Sequence, residues 1–175
     1  RQGMAIRFNE TDARVLGRTA RGVRALNLEE DDIVVGMVPV MENTTVLTVS
    51  ENGQGRRTDP AEYRLQSRGG KGIKNYDTQK NGPVAGVLAV GEEDDVILIS
   101  DDGIIIRIPV AEISTQSRYA GGVRVMRIGE GSRLVSLCRA PHEDEEEAAA
   151  ESEAPAEAET PAEETADSTG TPVEE

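Results

Sequence analysis

The chain has 175 residues and a formal net charge of −14. Nowhere do about 18 apolar residues run together, so a membrane-spanning helix is excluded, and the lone cysteine, Cys138, excludes an internal disulfide. No signal peptide is visible, the first residues, RQGMAIRF, read as mid-domain sequence, and the single thiol sets the expectation of a cytosolic protein.

In chain order, the elements read as strands. GMAIRF (3–8) opens the series, followed by GVRALNL (22–28), a turn at EEDD, and VVGMVPV (34–40). TTVLTVS (44–50) and QGRRT (54–58) flank Asn52-Gly53, and DDVILIS (94–100) and IIIRI (104–108) flank Asp102-Gly103. Asn-Gly and Asp-Gly tolerate the positive φ of tight hairpins, so both pairs are expected to be hairpins. GIKNYDT (72–78) and GGVRVMRI (121–128) follow polar segments, and short turns lead into VAGVLAV (84–90) and LVSLC (134–138). Val, Ile and Leu dominate these runs, as strand propensity favours. The run around Cys138 reads as core, with a buried and inert thiol. His142, the only histidine, is a poor candidate for a metal or catalytic centre.

These elements repeat at an offset of 50 residues. Gly3, Gly53 and Gly103 align, as do Arg7, Arg57 and Arg107, then Asp12, Glu62 and Glu112. Arg18, Arg68 and Arg118 follow, then Gly22, Gly72 and Gly122, Arg24, Lys74 and Arg124, and Val34, Val84 and Leu134. The period suits one propeller-like blade per repeat better than a helical repeat. The expected fold is therefore all-β and propeller-like, with about three blades over residues 1–140. The hairpin strand of the first unit would lie ahead of Arg1, so the chain is expected to begin inside a blade of something longer and to leave one strand edge unpaired. Residues 141–175 are Glu, Ala, Pro and Thr with almost no large apolar side chains, and are expected to form a disordered acidic tail.

Charge is divided unevenly. The segment 141–175 holds 14 acids and no Lys or Arg, which leaves 33 − 14 = 19 acids against 19 bases in residues 1–140. The windows 14–24, 64–74 and 114–128 contain 11 of those 19 bases and no acid, while acids collect in LEEDD, GEEDD and SDDG. Equivalent positions of a repeat face the same way, so the basic windows should form one stripe, the electrostatic footprint of phosphate binding. In the middle window, QSRGGKG (66–72) adds glycines whose freedom lets backbone N–H groups converge on an anion. It is not a nucleotide-binding P-loop, because no G-x-x-x-x-G-K-[ST] is present. Aromatic residues are only 2% of the chain, which disfavours stacking on single strands.

QSRGGKG closely resembles the gyrase box, Q-(R/K)-R-G-G-(R/K)-G, of the DNA gyrase A subunit. GMAIRFNETDARVLGRTARGVRALNL, GQGRRTDPAEYRLQSRGGKGIK and IIIRIPVAEISTQSRYAGGVRVMRIGEG also resemble that subunit's C-terminal domain, so the likeness covers residues 1–140. The resemblance implies a β-pinwheel, usually of six blades that exchange strands, of which three would be present here. It implies that duplex DNA bends around the basic rim in support of ATP-dependent negative supercoiling. Gln66, Arg68, Gly69, Gly70, Lys71 and Gly72 match the box, whereas Ser67 replaces a usual base. The family's principal box lies in the first blade, so this one resembles an additional box-like loop. Arg64 and Lys74 flank it, and Arg18, Arg21, Arg24, Arg118 and Arg124 of the other windows are further expected phosphate contacts.

The same resemblance implies partners and a location. The partners are the rest of the gyrase A subunit, together with the gyrase B subunit, in a tetramer of two A and two B subunits at the bacterial nucleoid in the cytoplasm. The resemblance places the catalytic tyrosine, ATP and magnesium elsewhere in the holoenzyme, which leaves this chain non-catalytic and without a cofactor. Two other readings stay open on the residues. One is the paralogous domain in the A subunit of topoisomerase IV, where the box is missing or degenerate. The other is a propeller-like protein-interaction scaffold, which would not need loops separated by sign.

Overall fold

The structure, a computed structural model, describes residues 1–142. The expected acidic tail therefore lies almost wholly outside the described residues. The elements are β1 (Met4–Ala5), β2 (Thr45–Ser50), β3 (Gln54–Thr58), β4 (Ile73–Lys74), α1 (Thr78–Asn81), β5 (Val84–Val90), β6 (Asp94–Ser100), β7 (Ile105–Pro109), β8 (Val123–Arg124) and β9 (Leu134–Pro141). Single 3-10 turns at Glu10–Asp12, Pro60–Glu62 and Val110–Glu112 recur at the repeat period. No helix among the described residues is long and apolar enough to cross a membrane.

Both expected hairpins form. β2 pairs antiparallel with β3, and β6 with β7. On the other side, β5 closes on β2 and β9 on β6, each with a bulge at the same repeat position, Val49/Ser50 and Ile99/Ser100. A bulge adds local twist to the strand that carries it. The apolar positions of these strands meet in a core of Leu47, Val49, Val90, Val96, Leu98, Val110, Ile113, Val125, Met126 and Leu134.

The repeats do not close on themselves. The larger sheet runs β5-β2-β3-β8, so a strand of the third unit completes the sheet of the second. β1 of the first unit likewise pairs with β4 of the second. A glycine at one position of the repeat is the socket, at Gly53 the turn of the β2–β3 hairpin: Asn75 N and Tyr76 N both donate to Gly3 O, and Val125 N and Met126 N both donate to Gly53 O. Val84 N donates to Arg1 O and Leu134 N to Glu51 O in the same way. Gly3 and Gly53 have φ of 86° and 74°, and a Cβ there would lie 2.4 Å from Tyr76 O and 2.3 Å from Met126 O. Glycine is therefore required twice over, by backbone conformation and by close approach.

The first unit departs from expectation. GVRALNL and VVGMVPV form no strand, and Ile33, Val34, Met37 and Val40 are exposed. The reason is pairing: β5 and β9 close on the first hairpin strand of their own unit, and no described strand takes that place beside residues 34–40. GIKNYDT and GGVRVMRI are also shorter than expected, with two-residue strands followed by turns around the socket carbonyls. QKNGP is partly a single helical turn, α1, stopped at Gly82 with φ 83°.

Cys138 corrects a second expectation, because its side chain is exposed. In the second unit, β5 is covered by β9: a Cβ on Gly86 would lie 2.2 Å from Leu137 Cδ2. Gly36 receives Val87 in the same manner, at 2.7 Å. Among the described residues nothing covers β9 in turn, so its outer face stays open.

The end of β9 is tied down by charge. Asp95 is buried, its Oδ2 accepts from Arg107 Nε at 2.7 Å, and His142 Nδ1 lies 2.7 Å from its Oδ1. Burial alone would raise the Asp95 carboxyl, but the bonds to His142 and Arg107 outweigh it and hold the group below its ordinary value.

The socket and the charged clamp can each be tested. Gly103, like Gly53, has a positive φ, 85° against 74°, yet a Cβ there would meet nothing within 4 Å. Gly103→Ala should therefore cost about 1 kcal/mol, from backbone strain alone, while Gly53→Ala should cost about 3 kcal/mol or more, as measured by urea unfolding. Equal costs would refute the socket. Because the folded-state pKa of Asp95 lies below the unfolded value of about 3.9, its stabilisation is complete at neutral pH and is lost as pH falls below about 4. Asp95→Asn should flatten the acid limb of the stability curve.

Candidate nucleic-acid interface

The loop 66–72 hangs between two units. Gln66 N donates to Arg7 O at 2.9 Å, Gly69 N to Ala25 O at 2.6 Å, and Asn27 N to Gly70 O at 2.9 Å. Gly69 and Gly72 have φ of 82° and 73°, and a Cβ on Gly72 would lie 2.3 Å from Ala5 O. These glycines let the loop turn tightly while lying against the backbone of the first unit. Gly70 and Lys71 are exposed. The Lys71 ammonium has no hydrogen bond or ion pair among the described residues.

Arg68 does something different. Its Nε donates to Asp12 O at 2.9 Å and its Nη1 to Arg24 O at 2.8 Å. Arg118, one repeat later, donates from Nη1 to Lys74 O, the equivalent carbonyl. It also lies over the Tyr119 ring, 4.3 Å from the centroid. Both arginines are clasps between successive units, with part of each guanidinium committed to carbonyl oxygens. They string the three basic segments into one series: Arg24 against the 66–72 loop, and Lys74 against the 116–122 loop.

The remaining expected contacts are exposed. Arg18, Arg21, Arg24 and Arg124 have no internal partner among the described residues, and neither have Arg14 and Arg127. Arg64 is exposed and donates to Gln66 Oε1 at 3.3 Å, and Lys74 pairs with Asp77 at 3.3 Å. Gln66 is half-buried, and its Nε2 is buried without a partner. Its side chain therefore lies beneath the loop instead of at the tip. Lys74 apart, the arrangement offers an anion a row of cations that no acid among the described residues pairs with.

Sequence reasoning missed the support beneath this row. Arg56 is fully buried, donates to Ser117 O at 3.1 Å, and also reaches Asn75 O and Arg118 O. It stacks over Tyr76, 5.0 Å from the ring centroid. Burial pulls its guanidinium below the ordinary value, while Tyr63, Tyr76 and Glu62 partly oppose that. Arg57 donates to Ile113 O and pairs with Glu92, and Arg7 donates to Pro60 O and Tyr63 O. The one available signal was Arg56-Arg57 adjacent in a strand, where alternation must turn one cation inward.

The sequence model of a family described as DNA gyrase C-terminal domain, beta-propeller, matches residues 1–41, 44–90 and 94–137. The chain belongs to this family. The gyrase C-terminal domain assignment is supported by similarity to curated A subunits of DNA gyrase. One, from Haloquadratum walsbyi, is 51% identical over 65 residues, which is 36% of this chain and 8% of that protein. Another, from Klebsiella oxytoca, is 44% identical over 61 residues, 35% of this chain and 7% of that protein. The stretch matched is thus under a tenth of the curated relatives' length. A solved DNA gyrase A C-terminal domain superposes with a TM-score of 0.72 at 33% identity, covering 79% of this chain and 47% of that one. The C-terminal domain of a DNA topoisomerase IV gives 0.75 at 24% identity over 86% of this chain and 48% of that one, a likeness of fold. Strand exchange between repeats is accordingly how this gyrase C-terminal domain is built, as the resemblance implied.

The clasp and the free cation should separate experimentally. Arg68→Ala should lower stability by about 1 kcal/mol through loss of two hydrogen bonds, whereas Lys71→Ala should leave the urea midpoint unchanged. Equal midpoints for the two variants would remove the clasp assignment.

Proposed function

We propose that this chain binds duplex DNA along its series of basic loops and bends it, as the wrapping part of a DNA gyrase A subunit. The observation that carries the reading is the row of exposed cations without internal partners, repeated at the period of the fold. Phosphates are the ligand that such a row suits, because they recur along a duplex and are read without regard to sequence. Bending 20–30 base pairs by 40–90° costs of order 1–6 kcal/mol. No single loop offsets that cost, and a row spread over successive units can. Chemistry is left to other parts of the enzyme: the wrapped duplex is presented to a cleavage domain, and ATP-driven strand passage then introduces negative supercoils.

The partners in this reading are duplex DNA, the remainder of the A subunit, and the B subunit, which assemble in the cytoplasm at the nucleoid. Gln66, Arg68, Gly69, Gly70, Lys71 and Gly72 form the box loop. Within it Lys71 and the loop amides not already bonded to the first unit face the DNA, while Arg68 keeps the loop on its neighbour. Arg18, Arg21, Arg24, Arg64, Lys74 and Arg124 extend the contact. Arg118 contributes through its position in the series and the part of its guanidinium left over from the clasp.

The test is salt dependence. If about six of these cations meet phosphates, log K should fall with log[salt] with a slope of about −5. Lys71→Ala should weaken binding equally across sequences and make the slope shallower by about 1. A flat salt response, or no duplex binding at low ionic strength, would refute the proposal.

A further inference from the structure

The 116–122 loop already holds an anion of its own. Glu62 Oε2 accepts from the Arg118 amide at 2.8 Å and from Ser117 Oγ at 3.2 Å. A carboxylate oxygen between a backbone N–H and a hydroxyl is in the setting that a phosphate oxygen takes. One repeat earlier, the equivalent donors are the Arg68 amide and Ser67 Oγ, and the equivalent acid is Asp12. Asp12 is one methylene shorter. Its backbone carbonyl accepts from Arg68 Nε, while its carboxylate makes no hydrogen bond among the described residues. Ser67 Oγ and the Arg68 amide are likewise without a partner there. The cations follow the same division: the open loop carries Lys71, and the filled one has Gly121 at that position.

We propose that Ser67 Oγ and the Arg68 amide form a cup for one phosphate oxygen of the DNA backbone, and that Glu62 fills the equivalent cup of the last repeat as a built-in stand-in for that phosphate. This rests on the duplex-binding reading above and adds which donors grip and which loop is closed. The serine that departs from the usual box is then a ligand: its hydroxyl supplies the second donor. The length of one acidic side chain decides whether a loop is open. A glutamate reaches the donors, and an aspartate does not.

The length difference can be exchanged without altering net charge. In the full chain, Glu62→Asp should open the last cup and tighten duplex binding about threefold at low salt, the worth of one added hydrogen bond. Asp12→Glu should close the box cup and weaken binding by a similar factor, as should Ser67→Ala. Urea midpoints of each variant establish that it is folded. In the unaltered chain, titration with a short duplex should shift the Arg68 amide resonance and leave that of Arg118 in place. Affinities that do not move, or that move in the same direction for Glu62→Asp and Asp12→Glu, would overturn the proposal. So would an Arg118 amide that responds as strongly as Arg68. Failure of the unaltered chain to bind duplex at all would instead overturn the function on which it rests.

Discussion

Two carbonyl oxygens at the same position of successive repeats, Gly3 O and Gly53 O, hold the structure in series. Each accepts two amides from the following unit, at Asn75 and Tyr76 and at Val125 and Met126. Everything else in the architecture follows from meeting that demand. The turn must be glycine because the incoming backbone passes within reach of its missing side chain. The strand after the basic loop is short because it ends where the socket begins. The outer segments carry a glycine, Gly36 or Gly86, because the next unit lays Val87 or Leu137 across them. Stability in such an array is a sum of unit and neighbour terms, with the neighbour terms unusually large.

Arginine serves two purposes in this fold, and the difference is one of depth. Arg56 and Arg57 are buried and give their donors to backbone carbonyls that would otherwise be hard to satisfy away from water. Arg68 and Arg118 are half-buried and tie one unit to the one before. The side chains of Arg18, Arg21, Arg24, Lys71 and Arg124 stand outside and give nothing to the fold. The inner set positions the loops from which the outer set projects. The loops can therefore be rigid without a large apolar base, because planar guanidinium groups with several donors replace side-chain packing.

Much of this was legible in the sequence. Asn52-Gly53 and Asp102-Gly103, each between alternating or apolar runs, fixed both hairpins almost to the residue. The fifty-residue offset named the unit and its basic windows. What stayed hidden was which edge each strand takes, since propensity is a property of a segment and pairing is a property of two. The same limit misplaced residues 22–40 as strands and Cys138 as core: among the described residues the first lacks a pairing strand and the second a covering neighbour. Arg68 was read as a contact because it matches the box, and it also repeats with Arg18 and Arg118. A residue that repeats with the fold can also be one that the fold needs, and Arg68 has that task through Asp12 O and Arg24 O. Glu62 was visible only as an acid in register with Asp12 and Glu112. That it reaches Ser117 and the Arg118 amide depends on a single methylene, to which a charge pattern is blind.

The exchanged strand also sets an order in time. β3 lies at residues 54–58 and the strand that completes its sheet, β8, at 123–124. On a ribosome, the second unit must wait with an open edge until most of the third has been made. Folding would then trail synthesis by one unit all along the array, each repeat finishing its predecessor and leaving its own edge for the next. A pause in translation between units would leave a sticky hairpin exposed, and a second nascent chain could satisfy it as well as the correct one. For this architecture, the rhythm of synthesis is part of what keeps strand exchange within one chain.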